Sequence, residues 1–89
     1  MPKILVADPI AQEGVDLLGT SAEVDSKHGL TTPELMEILG GYDALVVRSE
    51  TKVTAEVIGA GKNLQVIARA GIGVDNIDLE AATSAGIPV

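Results

Sequence analysis

The 89-residue chain contains no cysteine, no tryptophan and no phenylalanine, and Tyr42 is its only aromatic residue. The absence of cysteine excludes disulfides and thiolate metal sites, and it is compatible with a reducing compartment. Basic residues are also few, since six Lys and Arg stand against thirteen Asp and Glu, for a formal net charge of -7. Because nucleic-acid binding depends on attraction to phosphates, this charge argues against DNA or RNA as a partner.

Long hydrophobic runs are missing as well. The first ten residues, MPKILVADPI, hold one Lys and a short apolar run that ends before Asp8. This run is too short for the core of a signal peptide or for a membrane span. The sequence therefore predicts a cytoplasmic protein that does not use a membrane as a partner.

Aliphatic residues dominate the 46% of the chain that is hydrophobic. Such a composition is typical of parallel strands covered by helices. Short apolar runs predict strands, and periodic patterns with capping residues predict helices. The predicted strands are 4–7, 22–26, 44–47, 64–68 and 87–89, and the predicted helices are about 10–18, 31–39, 54–60 and 79–85. This strict alternation predicts an α/β fold, a doubly wound parallel sheet of about five strands.

Two details of this fold can be stated in advance. In the first helix we expect Ile10, Gly14, Leu17 and Leu18 to share one inward stripe. The last predicted strand, 87–89, has no helix after it, so one face of the sheet would lack its final covering helix. We therefore expect either that the natural chain continues or that two copies cover each other as a homodimer.

Two loops follow predicted strands at their carboxyl ends, where open parallel sheets bind ligands. The first loop contains Arg48, Ser49, Thr51 and Lys52, and the second begins with Arg69. Three of the six basic residues thus lie in these loops of an acidic chain. This clustering suggests a site for an anion, which Arg, Lys and hydroxyl groups can bind. The alternative is that the basic side chains only pair with neighbouring glutamates.

The second loop, RAGIGVDNID at 69–78, contains the pair Gly71 and Gly73. A dinucleotide fingerprint would need Gly or Ala where Asn76 stands, a helix that opens directly in the loop, and an acidic residue about twenty positions later. Because these features are missing, we do not expect a dinucleotide here. The two glycines either form an anion-binding concavity of backbone N–H groups or only make a tight turn.

Two further polar residues do not predict a site. His28, the only histidine, lies in a predicted turn without an obvious catalytic partner, so we interpret it as a solvated turn residue. Asp8 ends the first predicted strand, where a receiver domain would hold Mg²⁺. Such a domain has a phosphorylatable Asp where this chain has Arg48, so we predict no metal site.

Three stretches carry a family resemblance: KILVADPIAQEGVDLL at 3–18, ALVVRSETKVTAEVI at 44–58 and LQVIARAGIGVDNIDLEAATSAGIPV at 64–89. They resemble the N-terminal part of the D-isomer-specific 2-hydroxyacid dehydrogenases, and the two loop motifs favour the phosphoglycerate dehydrogenase branch. The resemblance implies a two-domain enzyme that oxidises 3-phosphoglycerate to 3-phosphohydroxypyruvate with NAD in serine biosynthesis. It also implies that 1–89 is the first segment of a flavodoxin-like substrate-binding domain, with the nucleotide-binding domain absent from this chain.

The resemblance further implies which residues contact a 3-phosphoglycerate-like substrate. They are Arg48, Ser49 and Lys52 in the first loop, and Arg69, Ala70, Gly71, Ile72 and Gly73 in the second. In a complete enzyme of the family, the catalytic Arg, Glu and His and the nucleotide-binding glycines lie beyond residue 89. The isolated chain is therefore expected to be inactive and to bind no cofactor. The alternative function is that of a truncated or engineered, non-enzymatic folding module that forms dimers.

Overall fold

Strands and helices alternate along the chain in the computed structural model, which describes residues 2–48, 50–70 and 76–89. The elements are β1 (Lys3–Val6), α1 (Gln12–Gly19), β2 (Glu23–Ser26), α2 (Thr32–Leu39), β3 (Ala44–Val47), α3 (Ala55–Ala60), β4 (Val66–Arg69) and α4 (Leu79–Ser84). Each predicted helix is present, with ends that differ by at most about two residues from the predicted ones. The predicted α/β fold is therefore confirmed.

The four strands form one parallel sheet in the order β2-β1-β3-β4. The chain adds β2 on one side of β1 and then β3 and β4 on the other, so the order reverses between β1 and β3. In open α/β sheets such a switch point leaves a crevice at the carboxyl ends of the strands. The predicted fifth strand at 87–89 is not a strand, although the Ile67 N–H donates to the Pro88 carbonyl at 3.0 Å.

Polar residues fix where three of the helices begin. The Thr31 hydroxyl accepts the Glu34 N–H, and the Glu34 carboxylate accepts the Thr31 N–H at 2.9 Å, which completes a capping box at α2. The side chains of Thr54 and Asp78 each accept the N–H of the residue three positions later. These oxygens satisfy N–H groups that have no partner within the helix, and this is why the capping residues predict the helix starts correctly.

The sheet separates the apolar core into two clusters. The larger cluster lies between the sheet and α2, α3 and α4, and its strand residues include Leu5, Leu45 and Ile67. The smaller cluster lies on the opposite face, where Ile4, Val6 and Val46 pack with residues at α1. We call this second side of the sheet the α1 face.

The α1 face is only partly covered. Leu17, which was predicted to point inward, is 72% exposed, and α1 has no fully buried residue. The strand predicted at 64–68 is buried on one side only, because Ile67 is fully buried whereas Val66 is 39% exposed. Alternation along the strand directs Val66 and Ala68 to the α1 face, and α1 packs against β2 rather than β4.

Candidate functional site

The loop that follows β3 is anchored at the switch point by Asp8. This residue lies two positions after β1, and its side chain is only 2% exposed. A buried carboxylate needs hydrogen-bond donors to offset the loss of water. Oδ2 accepts the backbone N–H groups of Arg48 at 2.8 Å and Thr51 at 3.0 Å, and Oδ1 accepts the Thr51 hydroxyl at 2.5 Å. Asp8 therefore ties loop 48–52 to the end of β1.

The same hydrogen bonds set the ionisation of Asp8. Burial by itself would raise the pKa of the carboxyl group. The Thr51 hydroxyl and the backbone N–H groups of Thr51, Arg48 and Glu50 outweigh burial and hold the pKa of Asp8 below its ordinary value of 3.8. At neutral pH the site thus contains a buried carboxylate whose negative charge is compensated by the N–H groups of the loop.

The Asn76 side chain binds loop 48–52 through the backbone carbonyl groups of the loop. Its side chain is 7% exposed, and Nδ2 donates to the carbonyl oxygens of Arg48 at 2.5 Å and Thr51 at 2.7 Å. Oδ1 accepts the Nε–H of Arg69 at 2.8 Å. Because a carbonyl only accepts and a guanidinium only donates, a single orientation of the amide satisfies all three hydrogen bonds. Asn76 therefore connects loop 48–52 to the end of β4.

Strand pairing brings the two loops side by side. Val47 pairs with Arg69 in the sheet, and the Ala70 N–H donates to the Val47 carbonyl at 2.8 Å. Beyond the loops, Val53 and Ile77 form an isolated parallel bridge. The Val53 N–H donates to the Asn76 carbonyl at 2.8 Å. Ala70 and Asn76, on either side of residues 71–75, are thus each hydrogen-bonded to a residue that flanks loop 48–52.

Arg48 is exposed on the α1 face. It borders a shallow depression together with Ile10, Ala11 and Ala70. Arg69 follows the opposite alternation, since it lies two positions after the buried Ile67. The two arginines thus flank the carboxyl edge of the sheet from its two sides rather than lining one closed pocket.

Lys52 is exposed near the start of α2. It borders a cavity of about 230 Å³ whose wall includes Asp8, Thr31 and Thr51. It also borders an open depression beside the start of α3, in which Asn76 takes part. The basic residues Arg48, Lys52 and Arg69 therefore all lie at the carboxyl edge of the sheet, and we call them the basic band. Acidic residues border the same depressions, namely Glu50, Glu56 and Asp78.

The predicted site residues fall into two groups. Arg48, Lys52, Arg69 and Ala70 lie at the carboxyl ends of β3 and β4. Ser49, Gly71, Ile72 and Gly73 lie outside the described residues. The sequence patterns do not predict the roles of Asp8 and Asn76, since Asp8 only matches one position of a receiver domain and Asn76 only departs from the dinucleotide fingerprint. A usable signal exists for Asp8, because a polar residue directly after a buried strand needs hydrogen-bond partners at the sheet edge. Asn76 carries no such signal, since it lies seven residues after the end of β4.

The start of α4 offers no free N-terminus to a pyrophosphate. The start of α4 is already capped by the Asp78 carboxylate, which accepts the Ala81 N–H at 2.9 Å, so a pyrophosphate would meet a negative charge there. His28 is exposed in the connection between β2 and α2. Within 2–48, 50–70 and 76–89, His, Asp and Glu side chains form no group of three that could hold a metal ion. No helix in these ranges has the length and apolar character needed to cross a membrane.

Comparisons with known proteins agree with the predicted resemblance. Residues 4–89 match the D-isomer specific 2-hydroxyacid dehydrogenase family, catalytic domain. D-3-phosphoglycerate dehydrogenase of Synechocystis sp. is 53% identical over 89 residues, covering 100% of this chain and 16% of that protein. Hydroxypyruvate reductase of Thermotoga maritima is 52% identical over 89 residues, covering 98% of this chain and 29% of that protein.

Solved structures show the same relationship. A protein from Pyrococcus horikoshii superposes with a TM-score of 0.93 at 35% identity, covering 100% of this chain and 28% of its own. An NAD⁺-bound 3-phosphoglycerate dehydrogenase from Entamoeba histolytica superposes with a TM-score of 0.83 at 33% identity, covering 97% and 31%. This chain spans less than a third of the length of each of these four proteins. It belongs to the family of D-isomer specific 2-hydroxyacid dehydrogenases.

Proposed function

We propose that this chain is the first segment of the substrate-binding domain of a phosphoglycerate dehydrogenase, which oxidises 3-phosphoglycerate to 3-phosphohydroxypyruvate with NAD. The observation that carries the proposal is the basic band at the carboxyl edge of the sheet, formed by Arg48, Lys52 and Arg69. The sequence of this sheet matches the 2-hydroxyacid dehydrogenase family. A substrate with one carboxylate and one phosphate needs several cationic partners, and the sheet edge offers them in a chain with a net charge of -7.

The role of this chain in the reaction would be to bind and orient the substrate. The guanidinium groups offer planar forks to a carboxylate or phosphate, and Lys52 offers a compact charge. The full proposed site is Arg48, Ser49, Lys52, Arg69, Ala70, Gly71, Ile72 and Gly73. NAD would accept the hydride in the complete enzyme. Because the start of α4 does not fit a dinucleotide, we assign the cofactor to a separate nucleotide-binding domain outside this chain.

Titration of the isotope-labelled chain with 3-phosphoglycerate, followed by NMR, tests the proposed site. We expect shifts of the backbone amides of Arg48, Thr51, Lys52 and Arg69. We expect no shift of Asn63, which lies in the connection that enters β4, at the amino edge of the sheet. If the loop amides do not move at millimolar ligand, this chain has no substrate site of its own.

A pair of lysine variants makes this test quantitative. Lys52→Ala removes one cation of the band, whereas Lys62→Ala removes an exposed cation between α3 and β4, at the opposite edge of the sheet. Loss of one charge-assisted hydrogen bond of about 1.5 kcal/mol corresponds to roughly tenfold weaker binding for Lys52→Ala. Lys62→Ala should bind like the unchanged chain. Equal weakening in both variants would indicate a general charge effect instead of a site.

The hydroxypyruvate reductase relative indicates a second candidate substrate, a small hydroxyacid without phosphate. The two candidates separate in a competition between 3-phosphoglycerate and D-glycerate, which differ only in the phosphate. Three basic residues at the edge favour the more highly charged ligand, so we expect 3-phosphoglycerate to bind more tightly. Equal affinities would favour the reductase function.

We propose that the isolated chain does not catalyse the reaction. A mixture of the chain, 3-phosphoglycerate and NAD is expected to produce no NADH, and the chain is expected to give no calorimetric signal with NAD. NADH formation that depends on the chain would contradict this part of the proposal. The same assay with a complete enzyme of this family serves as the positive control.

We also propose that the isolated chain forms a homodimer through the α1 face. Leu17 and Val66 expose apolar surface there, and a second copy would remove it from water. Val66→Lys should give a monomer mass in light scattering. Leu79→Lys changes a residue of similar exposure on α4, at 44%, and should leave the dimer intact.

The non-enzymatic alternative predicts a different combination of results. A folding module without a substrate site would still dimerise through the α1 face, but its loop amides would not respond to 3-phosphoglycerate. A monomer mass for the unchanged chain at micromolar concentration would contradict dimer formation in either case.

A further inference from the structure

We propose that Asn76 is a positioning residue that holds loop 48–52 and Arg69 in one fixed arrangement. It would allow the cations of loop 48–52 and the guanidinium of Arg69 to act as a single anion site. This inference rests on the proposed function, because it assigns a further role within the same site. The supporting observations are the hydrogen bonds of the Asn76 amide and its 7% exposure.

The first argument concerns how the loop is held. Asp8 accepts the backbone N–H groups of Arg48 and Thr51, and Asn76 donates to the carbonyl groups of the same two residues. Both backbone polar groups of Arg48 and of Thr51 are therefore bound to a buried side chain. A loop fixed in this way presents its basic side chains from a defined backbone, which reduces the ordering cost of binding.

The second argument concerns the chemistry of the amide. The position requires two donors toward carbonyl oxygens and one acceptor toward a guanidinium, and among short side chains only Asn supplies both. Asp would keep the acceptor for Arg69 but would lose both donors. The glycine that a dinucleotide fingerprint has at this position would supply neither. The same residue that breaks the fingerprint thus joins the two loops.

The third argument concerns the support of Asn76 itself. Its carbonyl accepts the Val53 N–H at 2.8 Å, and the Asp78 N–H donates to the Val53 carbonyl at 2.9 Å. These two hydrogen bonds fix the backbone on either side of Ile77 to the segment that follows loop 48–52. The backbone that carries the Asn76 side chain is therefore itself restrained by hydrogen bonds, so the side chain can restrain the loop.

Amide hydrogen exchange tests the positioning role without any ligand. In Asn76→Ala we expect the amides of Arg48 and Thr51 to exchange about fivefold faster or more, because the carbonyl groups of the same two residues lose their hydrogen bonds to Asn76. Amides within β1 and β3 should keep their protection. The matched control is Asn63→Ala, because the Asn63 Nδ2 also donates to a backbone carbonyl, that of Gly40, at 2.8 Å.

Two results of the exchange experiment would overturn the proposal. Unchanged exchange at Arg48 and Thr51 in Asn76→Ala would show that the amide does not hold the loop. An equal acceleration across the whole sheet would show that Asn76 contributes general stability only. If Asn76→Ala does not fold, Asn76→Asp carries the test, because it keeps the size of the side chain and the acceptor for Arg69.

Anion binding provides the functional readout, with inorganic phosphate and 3-phosphoglycerate as probes. We expect Asn76→Ala and Asn76→Asp to weaken binding of both anions by about tenfold or more, which corresponds to ~1.4 kcal/mol. Asn63→Asp adds the same charge away from the site and should have a much smaller effect. Binding by a folded Asn76→Ala that equals that of the unchanged chain would overturn the proposal. If the unchanged chain binds neither anion, the proposed substrate site fails, and the exchange result alone decides the role of Asn76.

Discussion

Replacing Asp8 by Asn is expected to lower the free energy of unfolding by about 2 kcal/mol at neutral pH. The carboxylate is buried and accepts two backbone N–H groups and one hydroxyl. Asn keeps one oxygen for the two N–H groups, and the Thr51 hydroxyl can rotate to accept from the new amide. The variant therefore loses the charge on the acceptor and keeps the hydrogen bonds.

The magnitude follows from this difference. Hydrogen bonds to a charged group contribute about 1.5–3 kcal/mol, and neutral ones about 0.5–1.5 kcal/mol. The loss is thus about 1 kcal/mol for each of the two N–H groups. A domain of this length has a total stability of roughly 4–13 kcal/mol, so Asp8→Asn should still fold. Asp8→Ala would leave both N–H groups without an acceptor, at about 1–3 kcal/mol each, and is expected to cost about 2–6 kcal/mol in total.

The pH dependence gives this prediction a second, independent readout. The pKa of Asp8 in the folded chain lies below its ordinary value of 3.8, so folding favours the ionised form. The stabilisation is present above the unfolded pKa and is lost as the pH falls through the folded pKa. The difference in stability between the unchanged chain and Asp8→Asn should therefore be constant near neutral pH and shrink in the acid range below 3.8.

Urea unfolding followed by circular dichroism, repeated in steps from neutral to acid pH, measures both effects. Asp16→Asn is the matched control, because Asp16 is exposed on α1 and accepts a hydrogen bond from the exposed Gln12 amide at 2.9 Å. This control should remain within about 0.5 kcal/mol of the unchanged chain. Equal stability of Asp8→Asn and the unchanged chain at neutral pH, or a difference that grows on acidification, would refute the reasoning.

Three further predictions test other parts of the fold. Burial and the hydrogen bond to Asp25, at 2.6 Å, raise the pKa of Tyr42 to about 12. The protonated Tyr42 hydroxyl therefore stabilises the folded chain fully below pH ~10, and this contribution is lost as the pH rises from about 10 to 12. Tyr42→Phe should lower the free energy of unfolding by about 1 kcal/mol and reduce the loss of stability at alkaline pH. A titration of tyrosinate absorbance in the unchanged chain with a midpoint near about 10 would contradict the raised pKa. Leu39→Ala should cost ~2–5 kcal/mol in urea unfolding because Leu39 is fully buried. Leu79→Ala should cost much less because Leu79 is 44% exposed, and equal effects would be inconsistent with this packing. Thr31→Ala should cost ~0.5–2 kcal/mol through loss of the α2 cap, and Thr31→Ser should restore most of it if the hydroxyl is responsible.

Local signals in the sequence predicted most of the fold. The buried strands are short runs of Val, Ile, Leu and Ala, and the helix starts are marked by Thr31, Thr54 and Asp78. Each of these signals acts within a few residues, because strand burial and helix capping depend on neighbours along the chain. The alternation of such elements then restricts the topology to a parallel α/β sheet.

Two errors of sequence reasoning arose where burial depends on what packs above an element. Leu17 fits the apolar stripe of α1, but its side chain is 72% exposed and no residue of α1 is fully buried. Val66 belongs to an apolar run, yet only one face of β4 is covered among the described residues. Periodicity tells which residues share a face, and it does not tell whether another element covers that face.

The sequence by itself determined the family, the order of the elements and the two loops that carry Arg48, Lys52 and Arg69. Only the tertiary structure decided how those loops are joined. Asp8 and Asn76 lie far from loop 48–52 along the chain and meet it at the edge of the sheet, where each satisfies buried polar groups of the same loop. Such contacts follow from strand order and register, which bring distant residues together, and no local pattern of residue types encodes them.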